Sequence, residues 1–333
     1  MQSIAIIGAG SWGTALALLL AEKGLEVRLW VHGKETYEKI MHYRENVFYL
    51  PGVKLPENIL PTRSLSAALK GQKIILMVVP SHIFREILTQ MKPYLEKDCL
   101  LISATKGIEN ESLLTMSGVT KDVLKEISFQ YAVLSGPSFA KEVAAKLPTA
   151  VTVASADKDV AALVQRLFST AYFRVYTHSD VLGVELGGSL KNVMAIAAGI
   201  CDGLGLGANA RAALITRGLV EMSRLGQRLG AHPQTFAGLS GLGDLVLTCT
   251  STLSRNYTVG RRLGKGERIT DILNSMRMVA EGVKTSKAAY RLAQREETEM
   301  PIVSKIYEIL YREKSPLDGL KELLSRTPKP EFW

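Results

Sequence analysis

The sequence predicts an α/β protein in which a doubly wound parallel sheet is followed by an all-α C-terminal domain. Its 333 residues correspond to roughly two domains at about 150 residues each. The first part of the chain alternates strand-like apolar runs with helix-like runs, as in a parallel sheet covered by helices. The second part carries helical patterns alone. We place the change between residues 178 and 183, and assign 1–180 to the first domain and 181–333 to the second.

Short apolar runs locate the strands of the first domain. Strands are expected at 4–7, 26–31, 73–79, 100–103, 131–134 and 150–153. The run 73–79 is almost wholly apolar, which is typical of a strand buried on both faces of a parallel sheet. Helices are expected at 14–23, closed by Gly24, and at 82–91, which ends before Pro93.

The second domain is predicted to consist of helices at 184–200, 208–229, 257–263, 286–295 and 301–311. The first of these carries apolar residues at three- and four-residue steps, which predicts one stripe facing the core. The stripe consists of Leu186, Leu190, Val193, Ala197 and Ile200.

Composition and charge exclude several classes of protein. Apolar residues make up 47% and charged residues 22%, as in an ordinary globular chain. The net charge is +9, but basic and acidic residues are interspersed, which favours a small anionic ligand over nucleic acid. The apolar runs are too short to span a bilayer, and the N-terminus lacks the pattern of a secretion signal. Cys99, Cys201 and Cys249 form neither a disulfide framework nor a metal-ligand spacing, so we expect a cytoplasmic protein without a metal.

A glycine-rich loop follows the first predicted strand and opens the first helix. In the segment 8–13, Gly8 permits a tight turn, Gly10 lets the backbone approach a pyrophosphate, and Gly13 lets helix and strand pack closely. The start of the helix then offers N–H groups and partial positive charge to the phosphates. The loop predicts a Rossmann-like domain that binds NAD or NADP.

The end of the second strand bears on the choice between these cofactors. An acidic residue there accepts the ribose 2′-hydroxyl and repels a 2′-phosphate. Here His32 and Lys34 precede the first acidic residue, Glu35. This order favours the use of NADP as well as NAD.

Three segments carry candidate catalytic and substrate-binding groups. Lys191 lies off the apolar stripe of its helix, one turn after Gly187 and Gly188, where something must approach the backbone closely. A lysine beside such a gap is expected to be partly desolvated and able to exchange a proton. Lys106 follows a strand at the edge where ligands of open α/β sheets bind, and Asp244 follows a glycine-rich turn.

The polar trio 254–256 stands at a predicted helix start. A guanidinium fork beside helix N–H groups suits a phosphate, so Arg255 is the candidate phosphate-binding residue.

Together these segments resemble the NAD(P)-dependent glycerol-3-phosphate dehydrogenases, particularly the bacterial type. The ordered motifs extend along nearly the whole chain and cover 8–15, 79–82, 104–107, 134–140, 190–193, 205–211, 241–245, 254–256 and 279–282. The NAD-preferring eukaryotic members carry an aromatic–acidic pair near the position of His32, and this chain does not.

The resemblance implies a role for each matching residue. Lys191 is the proton acceptor when glycerol 3-phosphate is oxidised, and Lys106 and Asp244 complete the reacting cluster. The substrate-contacting positions are Gly136, Ser138, Ser254, Arg255 and Asn256, with Asn192 and Thr248 as supporting polar contacts. The cofactor-contacting positions are Ser11, Trp12, His32, Tyr49, Lys106, Ala140, Arg255, Val279 and Glu281.

The resemblance therefore implies the reversible reduction of dihydroxyacetone phosphate, supplying glycerol phosphate for phospholipids. One alternative is another dehydrogenase of this architecture, acting with a catalytic lysine on a hydroxyacid or sugar acid. A second is a non-enzymatic protein that senses a dinucleotide or binds nucleic acid. The sequence does not fix the oligomeric state, and a homodimer is compatible with it.

Overall fold

In a computed structural model, which describes residues 3–331, an eight-stranded sheet precedes a bundle of helices. The strands are β1 (Ser3–Ile7), β2 (Glu26–Trp30), β3 (Ile59–Thr62), β4 (Ile74–Met77), β5 (Cys99–Ser103), β6 (Phe129–Ser135), β7 (Thr149–Ala154) and β8 (Phe173–His178). Their order in the sheet is β3-β2-β1-β4-β5-β6-β7-β8, so the strand order reverses between β1 and β4. Ligands of open α/β sheets bind at such a reversal.

The carboxyl ends of the four neighbouring strands β2, β1, β4 and β5 lie level with one another. Ile7 pairs with Trp30 of β2 and with Met77 of β4, and Met77 pairs with Ser103 of β5. The loops that follow these strands therefore emerge at one edge of the sheet.

Seven helices accompany the sheet and nine follow it within the described chain. The first seven are α1 (Ser11–Glu22), α2 (Lys34–Tyr43), α3 (Leu65–Leu69), α4 (Phe84–Met91), α5 (Met116–Val123), α6 (Ala140–Ala144) and α7 (Lys158–Phe168). The others are α8 (Val181–Gly203), α9 (Gly207–Arg228), α10 (Pro233–Ala237), α11 (Asp244–Thr250), α12 (Arg255–Gly264), α13 (Ile269–Asn274), α14 (Glu281–Arg295), α15 (Pro301–Tyr311) and α16 (Pro316–Leu324). Short 3₁₀ turns span Ser81–Ile83 and Lys92–Tyr94, and a π-helical turn spans Leu239–Gly243.

The predicted fold class is confirmed, but the last two strands, β7 and β8, run opposite to the other six instead of parallel to them. β7 is antiparallel to β6, whereas the other neighbouring pairs are parallel. Only residues 136–148, with the short helix α6, connect these two strands, and α6 packs on α1. The chain thus turns back near the carboxyl edge instead of crossing the sheet, and an apolar run does not reveal that direction.

The two edge strands, β3 and β8, were not predicted from the sequence. β3 contains Pro61, and Ile59 is its one buried residue. β8 alternates buried and exposed positions over its first four residues. Edge strands need not be apolar throughout, and proline is tolerated there. Both strands therefore lack the continuous apolar run that revealed the central ones.

Helix α8 is the centre of the second core: the stripe predicted for it is buried, but burial extends over the other faces of the helix as well. Its residues from Gly183 to Cys201 are buried on every side, with α9, α11, α12, α14 and α15 packed around it. By length and composition α8 is the one helix among residues 3–331 that could cross a membrane, but 89% of its apolar window is buried inside the protein. Burial on all sides makes the polar residues of α8 candidates for function.

Candidate active site

The glycine loop has the geometry that a pyrophosphate needs. Gly8 has a φ of 120°, and a Cβ there would lie 2.5 Å from the carbonyl oxygen of Val78. A Cβ built on Gly10 would meet no described residue within 4 Å, so the loop is open above the start of α1. Trp12 lies in the first turn of α1, and Gly13 packs against the backbone of Gly8. The open loop and the N–H groups of α1 fit the phosphates of a dinucleotide.

Asn46 holds this loop in place, and sequence reasoning missed it. The buried Asn46 amide donates to the carbonyl oxygen of Ala9 at 2.9 Å and to Thr14 Oγ1 at 2.8 Å. Its Oδ1 accepts from the backbone N–H of Tyr49 at 3.3 Å, which ties the candidate cofactor residue Tyr49 to the loop. A lone asparagine in a turn gives no sequence signal for such a role.

His32 and Lys34, the candidate residues for the adenosine end of the cofactor, follow strand β2. His32 is exposed after β2, with its ring centroid 5.6 Å from that of Trp30. Lys34 begins α2, and its ammonium lies 3.7 Å from Glu38 in an exposed pair. Both candidates therefore stand where a Rossmann-like domain binds the ribose.

Three candidate catalytic residues meet in one buried cluster. Lys191 Nζ donates to Asp244 Oδ1, and Lys106 Nζ donates to Asp244 Oδ2, both at 2.5 Å. Lys191 is 7% exposed and Asp244 is 1% exposed. Thr248, one turn after Asp244, accepts from Lys191 Nζ at 2.7 Å. One carboxylate thus orients two ammonium groups.

Close backbone packing brings this cluster together. A Cβ on Gly187 would lie 2.6 Å from the carbonyl oxygen of Ser240, and one on Gly188 would lie 2.6 Å from Ser135 Oγ. The two glycines of α8 therefore admit the π-helical turn on one side and the end of β6 on the other. The turn leads directly into α11, whose first residue is Asp244, and such π-helical segments are frequent at functional sites.

The surroundings of Lys191 favour proton exchange. Burial lowers its pKa from 10.5 to about 8, and the positive charge of Lys106 acts in the same direction. The carboxylate of Asp244 opposes both effects. Since a general base or acid works best with a pKa near the operating pH, Lys191 is suited to both roles.

The loop after β6 borders this cluster. The carbonyl oxygen of Gly136 accepts from Lys106 Nζ at 3.3 Å and from Ser138 Oγ at 3.0 Å. Ala140 is the first residue of α6, four positions further on. The candidate positions Gly136 and Ser138 therefore lie beside the candidate catalytic groups.

The candidates from the start of α12 lie on two sides of that helix end. Ser254 caps α12 by accepting from the N–H of Tyr257 at 3.2 Å. Arg255 is exposed and donates to the carbonyl oxygen of Val279 at 2.8 Å. Asn256 is buried; it donates to Asn192 Oδ1 and accepts from the N–H of Gly282, both at 2.9 Å. Arg255 is thus available to a ligand, whereas the Asn256 amide is engaged within the protein at both ends.

Two glutamates, the partly buried Glu281 and the buried Glu185, connect the helical domain to the sheet domain. Glu281 accepts from Ser81 Oγ at 2.6 Å and from its N–H at 3.2 Å, at the end of β4. Glu185 accepts from Tyr131 OH at 2.6 Å and from the N–H of Ser117 at 2.8 Å. Burial raises the pKa of both carboxyl groups. Sequence reasoning gave no role to Ser81 or Glu185, whose partners lie 200 and 54–68 residues away.

The structure therefore separates two parts of the candidate site along one edge of the sheet. The glycine loop, with His32 and Lys34 beyond it, forms the dinucleotide part, and the lysine cluster forms the reacting part. Within residues 3–331, no group of three or more His, Cys, Asp or Glu side chains is placed to hold a metal ion. A Rossmann-like domain joined to a helical domain, with a buried lysine–carboxylate cluster at their junction, defines a dinucleotide-dependent oxidoreductase.

Comparison with known proteins identifies the family. Residues 3–161 match the model of the NAD-dependent glycerol-3-phosphate dehydrogenase N-terminus, and residues 180–321 match that of the C-terminus. The chain belongs to this family.

Close relatives agree over the full length. The chain is 55% identical to glycerol-3-phosphate dehydrogenase [NAD(P)+] of Geobacter metallireducens, with 99% of each chain covered. It is 56% identical to the protein of the same name from Desulfotalea psychrophila, over 99% of this chain and 98% of the other. The crystal structure of glycerol-3-phosphate dehydrogenase from Coxiella burnetii matches at 43% identity with a TM-score of 0.95, covering 98% of this chain and 99% of the other.

Proposed function

We propose that the chain catalyses the reversible reduction of dihydroxyacetone phosphate to sn-glycerol 3-phosphate with NADH or NADPH. The buried Lys191–Asp244–Lys106 cluster, beside a dinucleotide-binding loop, is the observation that carries this proposal. Membership of the family, and relatives named for NAD(P)+ use, support the substrate and both cofactors.

The residues of the cluster divide the work of the reaction. When bound, the nicotinamide supplies hydride to the substrate carbonyl carbon in the reducing direction and takes it back in the other. Protonated Lys191 gives its proton to the carbonyl oxygen as that oxygen gains negative charge, and neutral Lys191 removes the hydroxyl proton in the reverse reaction. Asp244 and Thr248 fix the position of Nζ. The ammonium of Lys106 stabilises negative charge that develops on the same oxygen.

Arg255 is the proposed phosphate-binding residue. Its guanidinium is exposed at the start of α12, where a two-pronged contact and helix N–H groups suit a phosphate. Phosphate recognition is also what distinguishes this function from the alternative, a hydroxyacid or sugar-acid dehydrogenase with the same architecture.

The test follows nicotinamide absorbance with dihydroxyacetone phosphate and each reduced cofactor in turn. We expect turnover with the phosphorylated ketone and little with non-phosphorylated oxoacids, and no comparable turnover from Lys191→Met. Preferred turnover of an oxoacid would support the alternative dehydrogenase. Tight cofactor binding without any turnover would support a dinucleotide sensor, and salt-sensitive DNA binding would support the nucleic-acid alternative.

We further propose the setting in which the enzyme works. We divide the chain into a cofactor domain, 1–180, and a substrate domain, 181–333, because α8 follows β8 directly at residue 181. We place the protein in the cytoplasm, since its three cysteines are buried free thiols. We also assign it the supply of glycerol phosphate for phospholipids. Growth of a deletion strain on added glycerol 3-phosphate tests the last assignment, and light scattering tests whether the chain forms a homodimer.

A further inference from the structure

The segment between α13 and α14 crosses from the helical domain to the dinucleotide groove. Met278 Sδ accepts from Ser11 Oγ at 3.5 Å, at the glycine loop. The preceding residue, Arg277, places its guanidinium carbon 3.7 Å from the ring centroid of Phe48 and one nitrogen 3.3 Å from Glu35. Two consecutive residues thus reach both the phosphate end and the ribose end of the groove.

The partners of Arg277 define its place in the cofactor site. Glu35 lies in the first turn of α2, next to Lys34 and three residues after His32. Phe48 immediately precedes Tyr49, which Asn46 ties to the glycine loop. Arg277 therefore lies beside the region where a Rossmann-like domain binds the adenosine ribose.

The ion pair between Arg277 and Glu35 is easily exchanged. The two side chains are 58% and 65% exposed, and exposed pairs contribute little to stability. The guanidinium stacks on Phe48, a contact that does not depend on Glu35. Arg277 can therefore turn its N–H groups from Glu35 to another anion while it remains on the aromatic ring.

We propose that Arg277 is a cofactor-specificity residue that binds the 2′-phosphate of NADP and pairs with Glu35 when the ribose carries a 2′-hydroxyl. This inference rests on the proposed function, because it assumes that the groove holds a dinucleotide. A planar fork suits a phosphate better than the point charge of Lys34, whose ammonium already lies 3.7 Å from Glu38. The exchange would let one site accept both cofactors.

The test compares the binding of NADPH and NADH by nicotinamide fluorescence, with adenosine 2′,5′-bisphosphate and AMP as probes without nicotinamide. Arg277→Gln should weaken NADPH and the bisphosphate at least about tenfold, the weight of one charge-assisted hydrogen bond. NADH and AMP should change by less than about twofold, since neither carries a 2′-phosphate. Arg277→Lys should recover part of the loss, because it keeps the charge without the fork.

Arg174→Gln is the matched control. Arg174 is also an exposed arginine over an aromatic ring, 5.2 Å from the centroid of Tyr176, but it lies on the edge strand β8. This variant should bind both dinucleotides as the wild type does. Glu35→Gln should strengthen NADPH binding several-fold, since it removes the anion that competes for Arg277.

Equal losses of NADPH and NADH in Arg277→Gln, or no change in either, would overturn the proposal. A Glu35→Gln variant that binds NADPH no better than the wild type would overturn the exchange. Failure of the proposed function is distinguishable, because it would show as absent turnover of dihydroxyacetone phosphate by a wild-type protein that still binds NADPH through Arg277.

Discussion

The proton exchange proposed for Lys191 predicts a specific pH dependence. Burial lowers the pKa of Lys191 to about 8, and its Nζ lies 2.5 Å from Asp244. In the proposed reaction, oxidation of glycerol 3-phosphate needs the neutral amine, which forms about one tenth of the population at pH 7 and about nine tenths at pH 9. The kcat for oxidation should therefore rise about tenfold across this range, while the kcat for reduction should fall as the ammonium is lost.

The assay measures kcat in both directions with saturating substrate and cofactor. Deuterium at C2 of glycerol 3-phosphate shows at each pH whether hydride transfer limits the rate. Lys191→Met should lower kcat by about 10²–10⁴ and remove the pH dependence, with NADH affinity and thermal stability measured as controls. Lys106→Met should move the midpoint to higher pH, because Lys106 lowers the pKa of Lys191.

Two results would refute this reasoning. One is a flat profile between pH 7 and 9 under conditions where the isotope effect shows that hydride transfer limits the rate. The other is a Lys191→Met enzyme with near-normal kcat at neutral pH. Either would mean that the proton leaves through another group.

Three further predictions concern recognition and packing. Arg255→Ala should raise KM for glycerol 3-phosphate at least about tenfold and leave the poor turnover of glycerol unchanged; an equal loss for glycerol would contradict its phosphate-binding role. His32→Phe combined with Lys34→Glu should weaken NADP binding and spare NAD, as measured by the two dissociation constants, and equal losses would place these side chains elsewhere. In thermal unfolding, Gly187→Ala should destabilise the protein by about 1–3 kcal/mol, and by more than Gly188→Ala does. The new Cβ at 187 would meet a backbone carbonyl, whereas the one at 188 would meet a serine hydroxyl that can rotate. Equal shifts in Tm for the two variants would refute this distinction.

The parts of the fold that could be predicted are those determined by residues close together in the sequence. The segment 8–13 is one such part, because tight turn, open phosphate site and helix start all follow from three nearby glycines. The buried strands β4 and β5 are others, because each is a continuous apolar run. The direction of β7 was not predictable, since it depends on where the connection after β6 packs.

The same limit applies to the site. Gly187 and Gly188 correctly indicated close approach at α8, but the groups that approach come from residues 135 and 240. Arg277 lies 242 residues from Glu35 along the chain, and a single arginine in a loop carries no periodic signal. Such contacts are set by how the two domains pack, and sequence patterns within one element do not encode that packing.

The charges of Lys191, Lys106 and Asp244 suit the proposed reduction of a carbonyl group. With both lysines protonated, the cluster carries a net charge of +1, which favours the negative charge that develops on the substrate oxygen during reduction. After Lys191 has given up its proton the cluster is neutral, and so is the new hydroxyl group. Burial makes this transfer attainable near neutral pH, because it lowers the pKa of Lys191 against the opposing effect of Asp244. Without the carboxylate, two lysines that both contact it at 2.5 Å would repel each other, and Lys191 would lose its proton at a still lower pH. Asp244 thus holds Lys191 in place and favours its protonated form, which the proposed role as the acid requires.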